Sequence, residues 1–249
     1  MKDLLIELER SFEEFSTKLK DGIPAIFTSL DIKKDIYKAS YRRLASLQGW
    51  RSYVVEPVIT KEVTCFFIEA QNDALLSHTF ARIGSWRASL KSLRGLLDNL
   101  LFFLYYKDHP VEFQLWSEGR HSLPISEYVT YLSNHPLFVK YDDSLTGLDS
   151  FRKEYSVLSK AVHASSGSFR MTEGGQYPAI MIDDLSRLGK WVTRERETIR
   201  IANMILITMF QSDLESAKQL QLRKSISFAV PKSFHAKIRS ELNVRLISV

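Results

Sequence analysis

The stretch WRASLKSLRGLLDNLLFFLYY, residues 86–106, decides the fold. Trp86, Leu90, Leu93, Leu97, Leu100, Leu101 and Leu104 recur at three- and four-residue spacing, the repeat of one helix face; a strand would alternate instead. Leu96-Leu97 and the run Leu100 to Leu104 spread the apolar character round the helix, so at least two of its sides must be covered by other elements. Just upstream, Thr60-Lys61-Glu62-Val63 places a capping residue before an early acid, and helical periodicity continues to about Arg82. Gly84-Ser85 separates the two segments. They are predicted to be long neighbouring helices.

Working outward, Leu4, Leu5, Leu8, Phe12, Phe15 and Leu19 predict an amphipathic helix closed by Asp21-Gly22, and a second helix is expected from about Asp31 to Leu47. Trp50 to Ile59 is β-branched and interrupted by Pro57, which predicts a loop or a short extended piece. Asp108-His109-Pro110 breaks the central pattern, and Pro124 to Leu132 is one short helix. Asp149 to His163 forms a further helix burying Phe151, Tyr155, Leu158 and Val162. It is terminated by Ala164 to Ser168 and followed by a flexible loop, Met171 to Tyr177. Ile182-Asp183-Asp184 starts a long helix running to about Leu214, and Pro231 to Leu242 gives a last short one. Ile226 to Val230 and Val244 to Val249 have strand-like composition. The predicted fold is therefore mainly α, a bundle-like single domain over residues 1–249 with at most a small β element near the C-terminus.

Composition narrows the function. Of 249 residues, 45% are hydrophobic and 25% charged, with 10 Gly and 7 Pro, an ordinary globular balance with too few turn residues for a sandwich or barrel. A single cysteine, Cys65, excludes an intramolecular disulfide framework and suits a reducing compartment. The N-terminal residues lack the pattern of a secretory signal, and no apolar run approaches the roughly 20 residues of a membrane span, so a cytoplasmic protein away from the membrane is expected. Phosphate-loop, Rossmann, zinc-protease and hydrolase-elbow motifs are absent, and no two histidines are spaced four apart. No metal or cofactor is predicted. The formal charge of +5 is uneven. Residues 217–249 hold seven basic residues against Glu241, a basic segment on an otherwise nearly neutral chain. Such a patch is the footprint of a polyanion-binding surface, with Arg223, Lys224, Lys237 and Arg239 as its candidate contacts; an acidic protein partner is the alternative.

Two polar stripes carry the candidate chemistry. Arg152, Ser156, Ser159 and His163 recur at offsets of four, three and four on one helix, and Arg87, Lys91, Arg94 and Asp98 do the same on the central one. Ser159 and His163 are one turn apart. Arg152 lies roughly 16 Å along the axis from His163, too far to assist it within one chain. If the two helices pack together, Arg94, positioned by Asp98, becomes a phosphate donor or orients the histidine.

The sequence Ser92-Leu93-Arg94-Gly95-Leu96-Leu97-Asp98-Asn99, with the later Leu158-Ser159-Lys160-Ala161-Val162-His163, resembles the HEPN superfamily of helical proteins from prokaryotic antiviral and toxin systems, over approximately residues 60–215. The family places a polar or acidic residue on one long helix opposite an Arg-and-His motif on a later one, and dimerises to form a cleft for metal-independent RNA cleavage. The resemblance implies attack of a ribose 2′-hydroxyl on the adjacent phosphate. His163 would move the proton, with Ser159 beside it, while Lys160, Arg94 or the partner subunit's Arg152 would stabilise phosphate charge. Asp98 would orient Arg94. The family spacing, arginine then histidine with four to six residues between them, does not occur here, since Ser156, Val157 and Leu158 fill those positions before His163. The implied partners are RNA and a second copy of the chain, or a hetero-complex with a defence-system protein. The alternative is a non-catalytic binding module in which Arg94, Asp98 and His163 hold helices in register.

Overall fold

A computed structural model of the chain describes residues 2–163, 184–214 and 219–248. The expected terminator Ala164 to Ser168 and the loop Met171 to Tyr177 lie outside these residues. At the centre, α4 (Lys61–Arg82) and α5 (Trp86–Tyr106) are joined by a short turn through Gly84, at φ 71°, and so run antiparallel. They approach closely because α5 carries Gly95 opposite Asp73: a Cβ there would lie 2.5 Å from the Asp73 Oδ2 atom. Leu93, Leu97, Leu101, Phe103 and Leu104 of α5 are fully buried, as the all-round apolar pattern requires.

The other sides of α5 are covered by α7 (Ile125–Asn134), α9 (Leu148–His163) and α10 (Leu185–Met209), with α6 (Pro110–Ser117) near its end. The apolar surplus of the two long helices is thus met within the chain. Asp184 begins α10 by accepting hydrogen bonds from the Ser186 and Arg187 amides. Ile199 to Met209 are buried without interruption, which makes α10 the second core helix. A break at Phe210 separates the short turn α11 (Gln211–Leu214), so the long helix ends sooner than the periodicity predicts.

A layer built by α2 (Lys34–Trp50) and α12 (Leu220–Ala229) closes the core against α4 and α10. The two helices touch at Gly49, where a Cβ would meet Ser225 Oγ at 2.7 Å. The expected strand Ile226 to Val230 is therefore mostly helix: Leu222, Ile226 and Ala229, spaced four and three apart, are buried, and tertiary packing overrides β-branched composition. Val244 to Ile247 are irregular, with Val244 and Leu246 buried, after α13 (Lys232–Leu242) ends at Asn243 with φ 53°. Among the described residues there is no strand, and the fold is all-α.

Two further expectations are corrected by burial. Trp50 to Ile59 continues α2 as a π-helical turn, Arg51–Val55, and a last turn α3 (Glu56–Val58). Trp50, Val54 and Val55 are 0% exposed there, and Pro57 lies in the final turn of the continued helix. The first helix, α1 (Lys2–Ile32), runs straight past Asp21-Gly22 and through Pro24. Its far half is held by tertiary contact, with Ile26 and Leu30 in an apolar groove beside Thr79 and Ile83. Its near half leaves Leu4, Leu5, Leu8 and Phe12 exposed.

Between α8 (Asp143–Thr146) and α9, Gly147 takes a left-handed φ of 87°, and a Cβ would lie 3.0 Å from Met204 Cβ of α10. Gly147→Ala combines backbone strain with a core clash. It is expected to cost about 2 kcal/mol, read as a lower urea midpoint with unchanged slope.

Candidate functional site: the α5–α9 face and the basic C-terminal segment

The two polar stripes do meet. α9 packs on α5, Arg94 forms an ion pair with Asp98 one turn on, and its Nε donates to Ser159 Oγ at 3.2 Å. The Arg94 guanidinium lies 3.5 Å from the centre of the Tyr155 ring, and the Tyr155 hydroxyl donates to Asp98 Oδ1 at 3.0 Å. Behind them Asn99 Nδ2 donates to Asp73 Oδ2 at 2.9 Å. Burial pushes the Asp98 carboxyl up to about 6, with Arg94 pulling the other way and the neighbouring Asp73 charge adding to the rise. Arg94 is thus engaged by its carboxylate, by a hydroxyl and by an aromatic face. That is the geometry of a clamp between helices.

The other candidates sit apart from this cluster. His163 and Lys160 are exposed at the C-terminal end of α9, and among the described residues His163 has no hydrogen-bond or ion-pair partner, Ser159 included. Arg152 is tied down at the opposite end, pairing with Asp143 at 2.6 Å and donating to Ser133 Oγ at 2.7 Å. The arginine that does reach the His163 end is Arg87. Its Nε and Nη2 donate to the carbonyls of Ala161 and Val162 at 3.2 and 3.0 Å, satisfying the open end of α9. Arg87 stood in the polar stripe, but its reach across to α9 depends on packing that spacing does not encode.

In the basic segment, α13 buries Ile238 and Leu242 and leaves Lys237 and Arg239 exposed, with Arg245 exposed beyond it. Arg223 and Lys224, expected to share that role, are half-buried on α12, and the Arg223 Nη1 faces the Arg245 carbonyl at 3.5 Å.

A buried polar network was missed altogether. His78 Nδ1 lies 3.0 Å from Ser40 Oγ, which donates to Glu195 Oε1 at 3.1 Å, while Arg43 grips Glu195 Oε2 through Nε at 2.9 Å and Nη2 at 2.5 Å. Since Ser40 spends its proton on Glu195, the imidazole must donate from Nδ1. Nearby, Trp191 Nε1 donates to Ser77 and Trp50 Nε1 to Asn203. These groups come from three helices far apart in sequence, and no single-helix pattern announces them. Among the described residues no cluster of three His, Cys, Asp or Glu side chains could hold a metal, and no helix is long and apolar enough to cross a membrane.

No family model matches the chain, and no characterised protein or solved structure matches it significantly. What its fold and surfaces define is an all-helical protein with a clamped α5–α9 core and exposed cations on its C-terminal helix.

Proposed function

We propose that this protein acts on RNA as a HEPN-like helical protein of a prokaryotic antiviral or toxin system, and that it does so by binding. The observation that carries this reading is the exposure of Lys237, Arg239 and Arg245 on a segment with one acid. Cations placed in this way contact phosphate, which positions a nucleic acid without reading its bases. The Arg94 clamp supports binding over catalysis, because its guanidinium is already matched by Asp98, Ser159 and Tyr155.

Three phosphate contacts on single-stranded RNA predict about a twentyfold loss of affinity between roughly 50 and 200 mM salt. Lys237→Glu combined with Arg239→Glu should weaken binding to many sequences alike and flatten the salt slope, as read by fluorescence anisotropy. Unchanged binding in that variant at low salt would assign the segment to an acidic protein partner.

Cleavage is the second reading, favoured by the placement of Arg87 at the His163 end of α9. There an exposed imidazole would take the 2′-hydroxyl proton, with Lys160 near the phosphate. Mixed RNA incubated without metal should be cut by the parent protein and spared by His163→Ala; cutting by both would point to another nuclease. The dimer or hetero-complex implied by the resemblance belongs to the same proposal. A monomer mass in light scattering at all concentrations would leave only the hetero-complex.

A further inference from the structure

On the side of the molecule where α10 meets the α12–α13 connection there is a cavity of about 510 Å³, within the range of small-ligand sites. Five cations line it: Arg43 from α2, Arg194, Arg196 and Arg200 from α10, and Lys232 from α13. Three are already matched by carboxylates, Arg43 by Glu195, Arg194 by Glu154 and Arg200 by Glu197. Arg196 and Lys232 have neither an ion pair nor a hydrogen bond among the described residues, and both are exposed. The lining therefore carries two uncompensated positive charges.

Two observations of a different kind point the same way. Arg200, which lines the cavity, is 7% exposed, and its Nη1 is buried with no acceptor among the described residues. α13 also starts at the rim with Pro231 in the capping position and no side-chain cap; the Phe234 amide bonds the Pro231 carbonyl, and the positive end of the helix dipole meets no acidic side chain in its first turn. Phe228 adds a partly exposed aromatic wall. An apolar ligand would leave the charges and the helix end unanswered. A phosphoryl group, with its several acceptor oxygens, answers both, and the aromatic wall suits a base or another flat apolar moiety.

We propose that this cavity binds a phosphate-bearing ligand of nucleotide size, held by Arg196, Arg200, Lys232 and the start of α13. Lys237 and Arg239 do not line this cavity, and the assignment does not depend on them. The ligand's source is either a free nucleotide or the terminal phosphate of a nucleic acid.

Isothermal titration of the full chain with ATP, inorganic pyrophosphate and a short 5′-phosphorylated RNA tests the assignment. Arg196→Glu combined with Lys232→Glu should weaken binding about tenfold or more. Both residues are exposed, and an unchanged circular-dichroism melt confirms that the variant folds. Binding of ATP that pyrophosphate competes away identifies a free nucleotide. Tighter binding of the phosphorylated RNA than of its unphosphorylated form, with the difference lost in the same variant, identifies a chain terminus. Lys237→Glu with Arg239→Glu should leave ATP and pyrophosphate binding intact, so failure of the RNA-binding surface and failure of the cavity are read separately. No heat with any of the three probes, or equal binding by the parent and the Arg196/Lys232 variant, would overturn the proposal.

Discussion

Glu195→Ala is expected to destabilise the protein by about 3–5 kcal/mol, the effect of stranding one member of a buried ion pair. Glu195 is 1% exposed and accepts from Arg43 twice and from Ser40 once. Its removal leaves a guanidinium, itself 9% exposed, without a counter-charge and a serine hydroxyl without an acceptor. Replacing both members, Arg43→Met with Glu195→Leu, should recover most of the loss, because two apolar groups of similar volume need no partners. Urea unfolding of the two variants separates the cases. Equal stability of Glu195→Ala and the parent would mean that water reaches Arg43 from the neighbouring cavity and replaces the carboxylate.

The second large effect is an acid limb set by His78. Burial holds its imidazole down to about 4, helped by the positive charges of Arg82 and Arg43. The folded chain therefore binds fewer protons at this site than the unfolded chain does between pH 6.5 and 4. Stability from His78 is complete above the unfolded value and is lost as pH falls through that window, by about 3 kcal/mol in all. Asp98, Glu154 and Glu195 act in the opposite sense: burial raises their pKa values, to about 6 for Asp98 and about 7 for Glu154, so each favours the folded state more as pH falls. The absolute curve mixes these groups with Asp73, His135 and Asp142, which are also shifted, and the His78 contribution is isolated by difference. His78→Gln, which keeps a donor near Ser40 but does not titrate, should gain on the parent by about 3 kcal/mol between pH 7 and pH 4. Parallel curves for the two proteins would show that the imidazole protonates freely in the folded state.

The central helices were legible because burial on several sides forces a dense apolar repeat, as in Leu93 to Leu104, and the capping residues Thr60 and Asp184 marked where helices begin. The edges were less so. Trp50 to Val55 has the composition of an extended piece, yet three of its residues are fully buried, so packing overrode propensity. Asp21-Gly22 predicts a stop only if the helix stands alone, whereas Ile26 and Leu30 beyond it line a groove with the end of α4. Pairing of the Arg94 and Ser159 stripes followed from their spacing once the helices were assumed to touch. The partners of Glu195 did not, because Ser40 and Arg43 reach it from another helix, with His78 behind Ser40 on a third, and they share no local signal.

The same span has a consequence for how the chain assembles. The α4–α5 hairpin joins neighbours in sequence, so it can form early. Ser40 and Arg43 must instead wait for Glu195, 155 and 152 residues downstream, and Trp50 for Asn203, 153 residues away. On a ribosome, α2 emerges long before its closing helix and must stay with its arginine and tryptophan solvated until four-fifths of the chain has been made. Docking of α10 is then a late step. It extinguishes water around Arg43, Glu195 and Trp50 together, which gives indole fluorescence from Trp50 a direct report on the final stage of folding.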